Sequence, residues 1–337
     1  MAKLKATWSQ LIQSTRLQRS SQCFSVLGSQ GIIFGGEVIP RQPVDNRLDV
    51  ISLGTSRGST EASTLDAPPE APTPRVGSAS AVIKDSLYLF SGRGGIAMAP
   101  VEENGAVWRY TPSQSAWKRL EPADPEKPFP AGRSYHAMAS DGCDLLFVHA
   151  GCPEKGRMQD LWSFRLSSQT WRGLAAAPGP SRGGASLAYL GGKLYRMNGF
   201  DGTTEQGGSV DMYDLATDDW SSVAFRPDGK DGPGPRSVSA LVAASVSGKH
   251  YLVTMFGECD PSSLGHGGAG KMRSDVWAFD VNEQYWLEVE TTGDGPAARG
   301  WFDADVFRGD EQDAIVVHGG LAEDNSRLGD IWRLDFI

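Results

Sequence analysis

A repeated pattern of about 50 residues constrains the fold of this 337-residue chain more than any other feature. Each unit opens with an arginine followed by small residues. It continues through an apolar stretch that ends in a small-residue pair, and then reaches a strand built around an aromatic residue. The opening arginines are Arg19, Arg75, Arg133, Arg182, Arg236 and Arg299. A unit of this length holds four short strands, and one four-stranded sheet cannot bury both of its faces, so six units predict six sheets packed around a common axis.

The composition agrees with an all-β protein that binds neither nucleic acid nor a membrane. The chain contains 41 Gly, 20 Pro and 10 Trp, which favours short strands and tight turns over helices. Its net charge of −9 offers no basic field to a nucleic-acid backbone. No segment resembles a signal peptide or a membrane span. The cysteines lack CxxC spacing, so we expect a cytoplasmic protein in a reducing compartment.

The two ends of the chain differ from the interior units. The sixth unit stops at Ile337 after its third strand and has no closing tryptophan, whereas residues 6–12 (ATWSQLI) have strand character and no opening arginine before them. We expect 6–12 to supply the missing fourth strand and so to remove two exposed sheet edges. The first unit also lacks its closing tryptophan, and its polar, proline-rich residues 57–74 predict a mobile loop.

The period, the glycine pair and the spaced tryptophan resemble the kelch repeat over essentially the whole chain. Strand ends such as IIFGGE (32–37) and IVVHGG (315–320) carry the pair. The closing tryptophans are Trp117, Trp171, Trp220 and Trp286. The resemblance implies an all-β, six-bladed kelch-type β-propeller whose ring is closed by an N-terminal strand completing the last blade. Residues 1–337 would form a single propeller with approximate units 14–70, 71–128, 129–177, 178–231, 232–294, and 295–337 plus 6–12.

Most of the repeated residues are expected to be structural. The opening arginines would bind backbone carbonyls at strand ends, and the tryptophans would fill the wedge between neighbouring blades. His149 and His318 lie inside strands, which favours core histidines over ligands.

The kelch resemblance also implies where ligands bind. In this family the loop after the small-residue pair and the residues just after the opening arginine meet at one mouth of the central channel. This places Cys152, Asp201, Glu258 and Leu321 there, together with the candidate substrate-binding residues, which are Arg93, Trp301, Tyr135, His136, Glu37 and Phe200. An arginine suits an anionic or enolate oxygen, and a tryptophan suits an unsaturated or ring-bearing ligand.

The glycine-rich loop GECDPSSLGHGGAG (257–270) carries the candidate catalytic residues Glu258, Asp260 and His266. It resembles the loop of the nitrile-specifier and epithiospecifier proteins, whose Glu-x3-Asp-x3-His motif implies an Fe(II) site. Glu258 and His266 keep that eight-residue separation, but position 262 is Ser and the nearest carboxylate is Asp260. Three interpretations stay open at this point. The three residues bind Fe(II), Glu258 or His266 moves protons without a metal, or the loop is structural.

Two classes of function follow from these features. The first is an enzyme or product-directing protein of lyase, isomerase or cyclase type, which holds a reactive small molecule over the channel mouth in secondary metabolism. The second is a non-catalytic kelch scaffold that binds a protein or peptide partner, for which the acidic rim would select a basic peptide. A weaker third option is carbohydrate binding, with Trp301 and Tyr135 as stacking platforms. No motif names the substrate or the oligomeric state.

Overall fold

The computed structural model describes residues 4–54 and 61–337, apart from the side chain of His266. These residues form six sheets of four or five strands, hereafter blades 1 to 6, with two smaller sheets and three short 3₁₀ helices. Within them, no helix has the length and apolar character needed to cross a bilayer.

The strands of blades 1 to 3 follow one another from the axis outwards. Blade 1 comprises Ser20–Leu27, Gln30–Ile39, Leu48–Ser52 and Ala62–Leu65, with Gln42–Pro43 paired to the second strand. Blade 2 comprises Ala79–Ile83, Ser86–Phe90, Val107–Thr111 and Ala116–Leu120. Blade 3 comprises Ala137–Ser140, Leu145–Gly151, Met158–Arg165 and Thr170–Leu174.

Blades 4 to 6 repeat this order, and the last blade uses both ends of the chain. Blade 4 comprises Ser186–Leu190, Lys193–Met197, Ser209–Asp214 and Asp219–Ala224. Blade 5 comprises Ala240–Val246, Lys249–Met255, Val276–Asp280 and Tyr285–Glu288. Blade 6 comprises Asp303–Phe307, Ala314–His318, Asp330–Phe336, Lys5–Gln13 and Glu290–Thr292. The small sheets are Arg75–Val76 with Arg93–Gly94 and Ala99–Pro100, and Glu258–Asp260 with Lys271–Met272; the 3₁₀ helices are Thr15–Leu17, Pro112–Gln114 and Gly265–Gly267.

The N-terminal strand closes the ring, as the sequence predicts. Lys5–Gln13 runs antiparallel to Asp330–Phe336, in a register from Ala6 opposite Phe336 to Gln13 opposite Asp330. A parallel pairing with Glu290–Thr292 covers the start of its outer edge, at Lys5–Thr7.

The prediction of a loop at 57–74 is wrong for Ala62–Leu65. These residues form the fourth strand of blade 1, paired to Leu48–Ser52, and all four are exposed. The Thr64 hydroxyl donates to the Asp49 carboxylate at 2.6 Å. An outer strand that faces water on both sides needs no apolar alternation, and polar residues therefore suffice to form it. The first part of the predicted loop, residues 57–60, lies outside the described residues.

The opening arginines are structural, as predicted. Arg133 is fully buried and donates to Asp160 through both terminal nitrogens, at 2.6 and 2.9 Å, and to the Ala150 carbonyl at 3.1 Å. The Trp162 indole N–H donates to the same carboxylate at 2.7 Å. Arg236 and Arg299 repeat this arrangement with the aspartates of their own blades. In these three blades the two-point arginine–carboxylate pair balances the buried charge and fixes the start of the blade. Arg182 of blade 4 instead donates to the Pro180 and Asn198 carbonyls, at 3.2 and 3.1 Å.

The closing tryptophans and the strand histidines also have the predicted core positions. The Trp171 indole of blade 3 donates to the Gly105 carbonyl of blade 2 at 2.7 Å, so it joins two blades across their wedge. His149 and His318 are completely buried, and each places one ring nitrogen 2.9 or 3.1 Å from a backbone carbonyl.

Six residues, called the collar, surround the axis at one end of the inner strands. Each stands two positions after an opening arginine and has a positive φ between 46° and 61°. The backbone N–H of each donates to the carbonyl of the collar residue in the preceding blade at 2.7–3.1 Å, and the six hydrogen bonds form a closed ring. The collar residues are Ser21, Gly77, Tyr135, Gly184, Val238 and Trp301. Beyond the collar, a channel of about 600 Å³ runs between the six inner strands.

Candidate functional site

Six equivalent residues, called the mouth, lie next to the collar. Each follows the glycine that ends the second strand of its blade and pairs with the residue that directly precedes a collar residue. The mouth residues, in blade order, are Glu37, Arg93, Cys152, Phe200, Glu258 and Leu321. The same pairing at six positions arises because each strand end turns tightly at the positive-φ glycine that precedes the mouth residue.

The structure places the predicted site residues in two groups. Tyr135 and Trp301 belong to the collar and, with His136, line the channel. Glu37, Arg93, Phe200 and Glu258 belong to the mouth, and Asp260 and His266 follow Glu258 on its loop. The kelch resemblance implies one rim, whereas the structure shows two adjacent levels.

Tyr135 leans across the collar towards its neighbours. A methyl group at Gly77 would lie 3.1 Å from the Tyr135 ring, so glycine makes room for the aromatic side chain there. The Tyr135 hydroxyl lies 3.4 Å from the Ser21 hydroxyl. The ring therefore narrows the passage between the mouth and the channel.

Glu258 is held rigidly at the mouth. It is only 5% exposed, and its backbone exchanges two hydrogen bonds with Ser237, each 2.9 Å long. Its Oε1 accepts the Gly270 N–H at 3.0 Å, and a Cβ at Gly270 would come within 2.5 Å of that oxygen. Only glycine fits this close approach. Burial raises the pKa of Glu258 to about 7.

Asp260 differs from Glu258 in exposure and in partner. Its side chain is 61% exposed, and its carboxylate lies 3.3 Å from the Lys271 ammonium group. Among the described side chains, no group of three His, Cys, Asp or Glu residues converges to hold a metal ion. The side chain of His266 lies outside the described residues. The assignment of Glu258, Asp260 and His266 as catalytic residues or metal ligands therefore stays a prediction.

Glu205 is a residue of this site that sequence reasoning missed. It pairs with the mouth residue Phe200, and both of its carboxylate oxygens are buried. Burial raises the pKa of Glu205 to about 8; the nearby Ser237 hydroxyl lowers it, and the charge of Glu258 raises it further. One signal was present in the sequence, since Glu205 lies in the mouth loop of the preceding unit, five residues after Phe200.

Arg93 gives the opposite side of the mouth a positive charge. Its guanidinium donates to the Ser134 hydroxyl at 3.2 Å and to the Met98 and Pro153 carbonyls at 2.9 Å each. All three acceptors are neutral, and within the described part of the chain Arg93 makes no ion pair. Nearby, the Arg157 guanidinium lies 5.6 Å from the centre of the Phe200 ring.

The other two predicted contacts are more enclosed. Glu37 is buried, accepts the Arg41 N–H at 2.6 Å and lies 3.9 Å from Arg327. Burial raises the pKa of Glu37. His136 is buried and packs edge-on against Phe90, and burial lowers its pKa to about 3, so its ring is neutral at physiological pH.

Comparisons with known proteins agree with this architecture. N-(sulfonatooxy)prop-2-enimidothioate sulfolyase of Thlaspi arvense is 27% identical over a match that covers 93% of this chain and 91% of that protein. Tip elongation aberrant protein 1 of Schizosaccharomyces pombe is 33% identical over 56% of this chain and 16% of that protein. The solved structure of YjhT has a TM-score of 0.71 at 16% identity, covers 96% of both chains and shows the same fold.

The model of the KLHDC2/KLHL20/DRC7 Kelch-repeats domain matches residues 21–257, more than two thirds of the chain. The strand order, the buried arginines and the interblade tryptophans described above agree with that match. The chain therefore belongs to the kelch-repeat family.

Proposed function

We propose that this protein binds a reactive small molecule at the mouth and directs its rearrangement, cyclisation or elimination in secondary metabolism. One observation carries the proposal. The mouth holds a rigid, buried carboxylate, Glu258 on blade 5, opposite Arg93 on blade 2, which makes no ion pair with the described residues. The similarity to a relative named as a sulfolyase, over nearly the full length of both chains, supports a lyase-type activity.

The two charged groups suit complementary tasks on one substrate. Arg93 would attract an anionic group and stabilise negative charge that develops on an oxygen, because its charge is not balanced by a neighbouring carboxylate. Glu258 would accept or return a proton at the other end of the substrate, because it is buried and fixed by Gly270. Trp301 and Tyr135 would provide an aromatic floor below both groups.

Glu258 also fits a divalent metal site of the kind that the glycine-rich loop suggests. Its carboxylate is buried in a loop where Gly270 leaves no room for another side chain, and His266 would be a further ligand. Bound iron(II) would supply a Lewis acid for an electronegative atom of the substrate. Without a metal, Glu258 would act by proton transfer alone. Metal analysis of the purified protein, followed by addition of Fe(II) and then of a chelator, distinguishes these versions because only the metal-dependent one responds.

Disruption of the gene in its source organism tests the function itself. Comparative metabolite profiling should show the loss of one rearranged product and the accumulation of the product of the uncatalysed reaction. The wild-type gene should restore the profile, and Glu258→Gln should not. An unchanged profile after disruption would contradict the proposal.

A second candidate function, a scaffold for a peptide partner, is supported by exposed apolar side chains on three mouth loops. These side chains are Val38, Ile39, Ile96 and Leu264. If the protein is a scaffold, disruption of its gene would leave the metabolite profile unchanged. Replacement of the four residues by serine would abolish capture of the partner by the purified protein, whereas Glu258→Gln would not affect it.

A further inference from the structure

We propose that Arg182 and Arg196 of blade 4 bind a small carboxylate anion, in the place that an aspartate side chain takes in blades 3, 5 and 6. The site lies beside the turn formed by residues 178–180. It contains none of the mouth residues, and it does not depend on the proposed function.

Blade 4 lacks the carboxylate that pairs with the opening arginine elsewhere. The opening arginines of the other five blades each form an ion pair with a carboxylate. In blade 3 this carboxylate belongs to Asp160, eleven residues before the closing Trp171. The residue eleven positions before the closing Trp220 of blade 4 is Ser209. A serine therefore stands where the carboxylate would be.

The backbone half of the arrangement is kept in blade 4. Arg182 donates through Nε and Nη1 to the Pro180 and Asn198 carbonyls, and the same two nitrogens of Arg133 donate to the equivalent carbonyls of blade 3. Nη2 of Arg133 donates to Asp160 at 2.9 Å. Nη2 of Arg182, by contrast, makes no hydrogen bond to a described residue. Arg182 thus has the conformation of a two-point pair without its partner.

Arg196 brings a second guanidinium group to the same turn. It is 1% exposed and donates from Nη2 to the Pro178 carbonyl at 2.8 Å. Nη2 of Arg182 lies 3.2 Å from the position of a Cβ on Gly179, so both groups border residues 178–180. Nη1 of Arg196 is shielded from solvent and has no hydrogen-bond partner among the described residues. These two terminal nitrogens are the donors that the oxygens of an anion would meet.

The two buried guanidinium groups have only one carboxylate between them. Asp211 accepts Nε and Nη2 of Arg196, and within the described residues Arg182 has no ion pair. Burial and the charge of Arg196 lower the pKa of Arg182 to about 10. Water could accept the free N–H groups, but it would not neutralise the buried charge. A carboxylate does both, because its two oxygens match the arginine fork, and the exposed turn 178–180 lets it enter from solvent.

Thermal unfolding of the full-length protein in sodium acetate tests the site, with sodium chloride at equal ionic strength as the reference. Acetate should raise the melting temperature of the wild type by roughly 2 °C or more above chloride, and the rise should saturate, because a ligand that binds only the folded state stabilises it. Ser209→Asp places a carboxylate beside Arg182. This variant should melt higher than the wild type without acetate and should lose the response. Ser221→Asp, which adds the same charge at an exposed position of the outer strand, should respond as the wild type does.

Three results would overturn the proposal. They are an equal effect of acetate and chloride on the wild type, a rise that does not saturate, and a full response to acetate in Ser209→Asp. Circular dichroism checks that each variant folds. Should Ser209→Asp not fold, Arg182→Lys keeps the charge but lacks the second terminal nitrogen, and it must reduce the response to acetate for the assignment to stand. Metabolite profiling tests the proposed function separately.

Discussion

Arg93 and Glu258 stand on blades that face each other across the axis, so the charge distribution of the mouth is polar. Arg157 and Glu205 both lie next to Phe200 on blade 4, between these two sides. A substrate with an anionic group at one end would be oriented by this field before any chemistry occurs. Such orientation matters most for an unstable intermediate, because it favours one reaction over the competing uncatalysed ones.

Glu258→Gln should lower the rate of product formation about tenfold or more, equivalent to roughly 1.4 kcal/mol in the barrier. The change keeps the shape and the acceptor for the Gly270 N–H but removes the charge. Melting temperature should not fall, since burial disfavours that charge. The rate is measured on the product identified by metabolite profiling. Full activity of the variant would assign the chemistry to other residues.

Arg93→Gln should weaken substrate binding, whereas Arg93→Lys should retain part of it because it keeps the charge. Both variants lose hydrogen bonds to the Met98 and Pro153 carbonyls, so both should also melt at a lower temperature. The difference in substrate binding between the two variants therefore measures the contribution of the positive charge. If the two variants bind the substrate equally well, Arg93 only supports the loops.

At the scale of the strand, two aspartates join the last blade to the first. The Asp303 carboxylate accepts the Phe24 N–H at 2.7 Å and the Ala304 N–H at 2.9 Å. The Asp305 carboxylate accepts the Val26 and Val306 N–H groups, at 2.7 Å each. These bonds satisfy backbone groups on the free edges of the inner strands. Burial raises the pKa of Asp303 to about 7 and also raises that of Asp305.

Stability should therefore depend on pH through Asp303. Because its pKa is higher in the folded than in the unfolded protein, its contribution to stability is fully present only below its unfolded pKa of 3.8 and is lost as the pH rises through about 7. The melting temperature of Asp303→Asn relative to that of the wild type should then increase from pH 5 to pH 8. Asp294→Asn, at an exposed position, is the control. A difference that stays constant with pH would contradict the assignment.

At the scale of the whole molecule, the ring is held together both at its centre and at its rim. The collar links each blade to the next through the backbone, and the strand Lys5–Gln13 connects the first residues of the chain to the last blade. Trp8 on that strand is 6% exposed and stacks on Phe256 of blade 5, with ring centres 5.9 Å apart. Closure therefore adds an aromatic contact to the strand pairing.

Deletion of residues 1–13 should lower the melting temperature clearly, because the last blade loses a whole strand and the edge of Asp330–Phe336 is exposed. Trp8→Ala alone should cost about 3–5 kcal/mol. Its melting temperature should fall between those of the deletion variant and the wild type. Thermal unfolding followed by circular dichroism measures both effects. A deletion variant that melts with the wild type would show that closure does not stabilise the ring.

The sequence predicts those parts of the structure that every blade must repeat. An arginine equivalent to Arg133 opens all six blades, and a tryptophan equivalent to Trp171 closes four of them, because these blades bury the same kind of junction. The lack of a closing tryptophan before Ile337 predicts that the N-terminal strand completes the last blade. Ala62–Leu65 could not be predicted, because an exposed outer strand has no apolar pattern. Glu205 escaped notice because its closeness to Glu258 depends on a contact between two blades.

The ring of collar hydrogen bonds uses only main-chain atoms, so the fold does not specify which side chains stand there. Four of the six positions carry a side chain despite the left-handed backbone, and they range from serine to tryptophan. Substitutions at Ser21, Tyr135, Val238 and Trp301 can reshape the floor of the mouth without removing a bond of the ring. The collar is thus a place where selection could change ligand preference quickly, while the propeller that supports it stays the same.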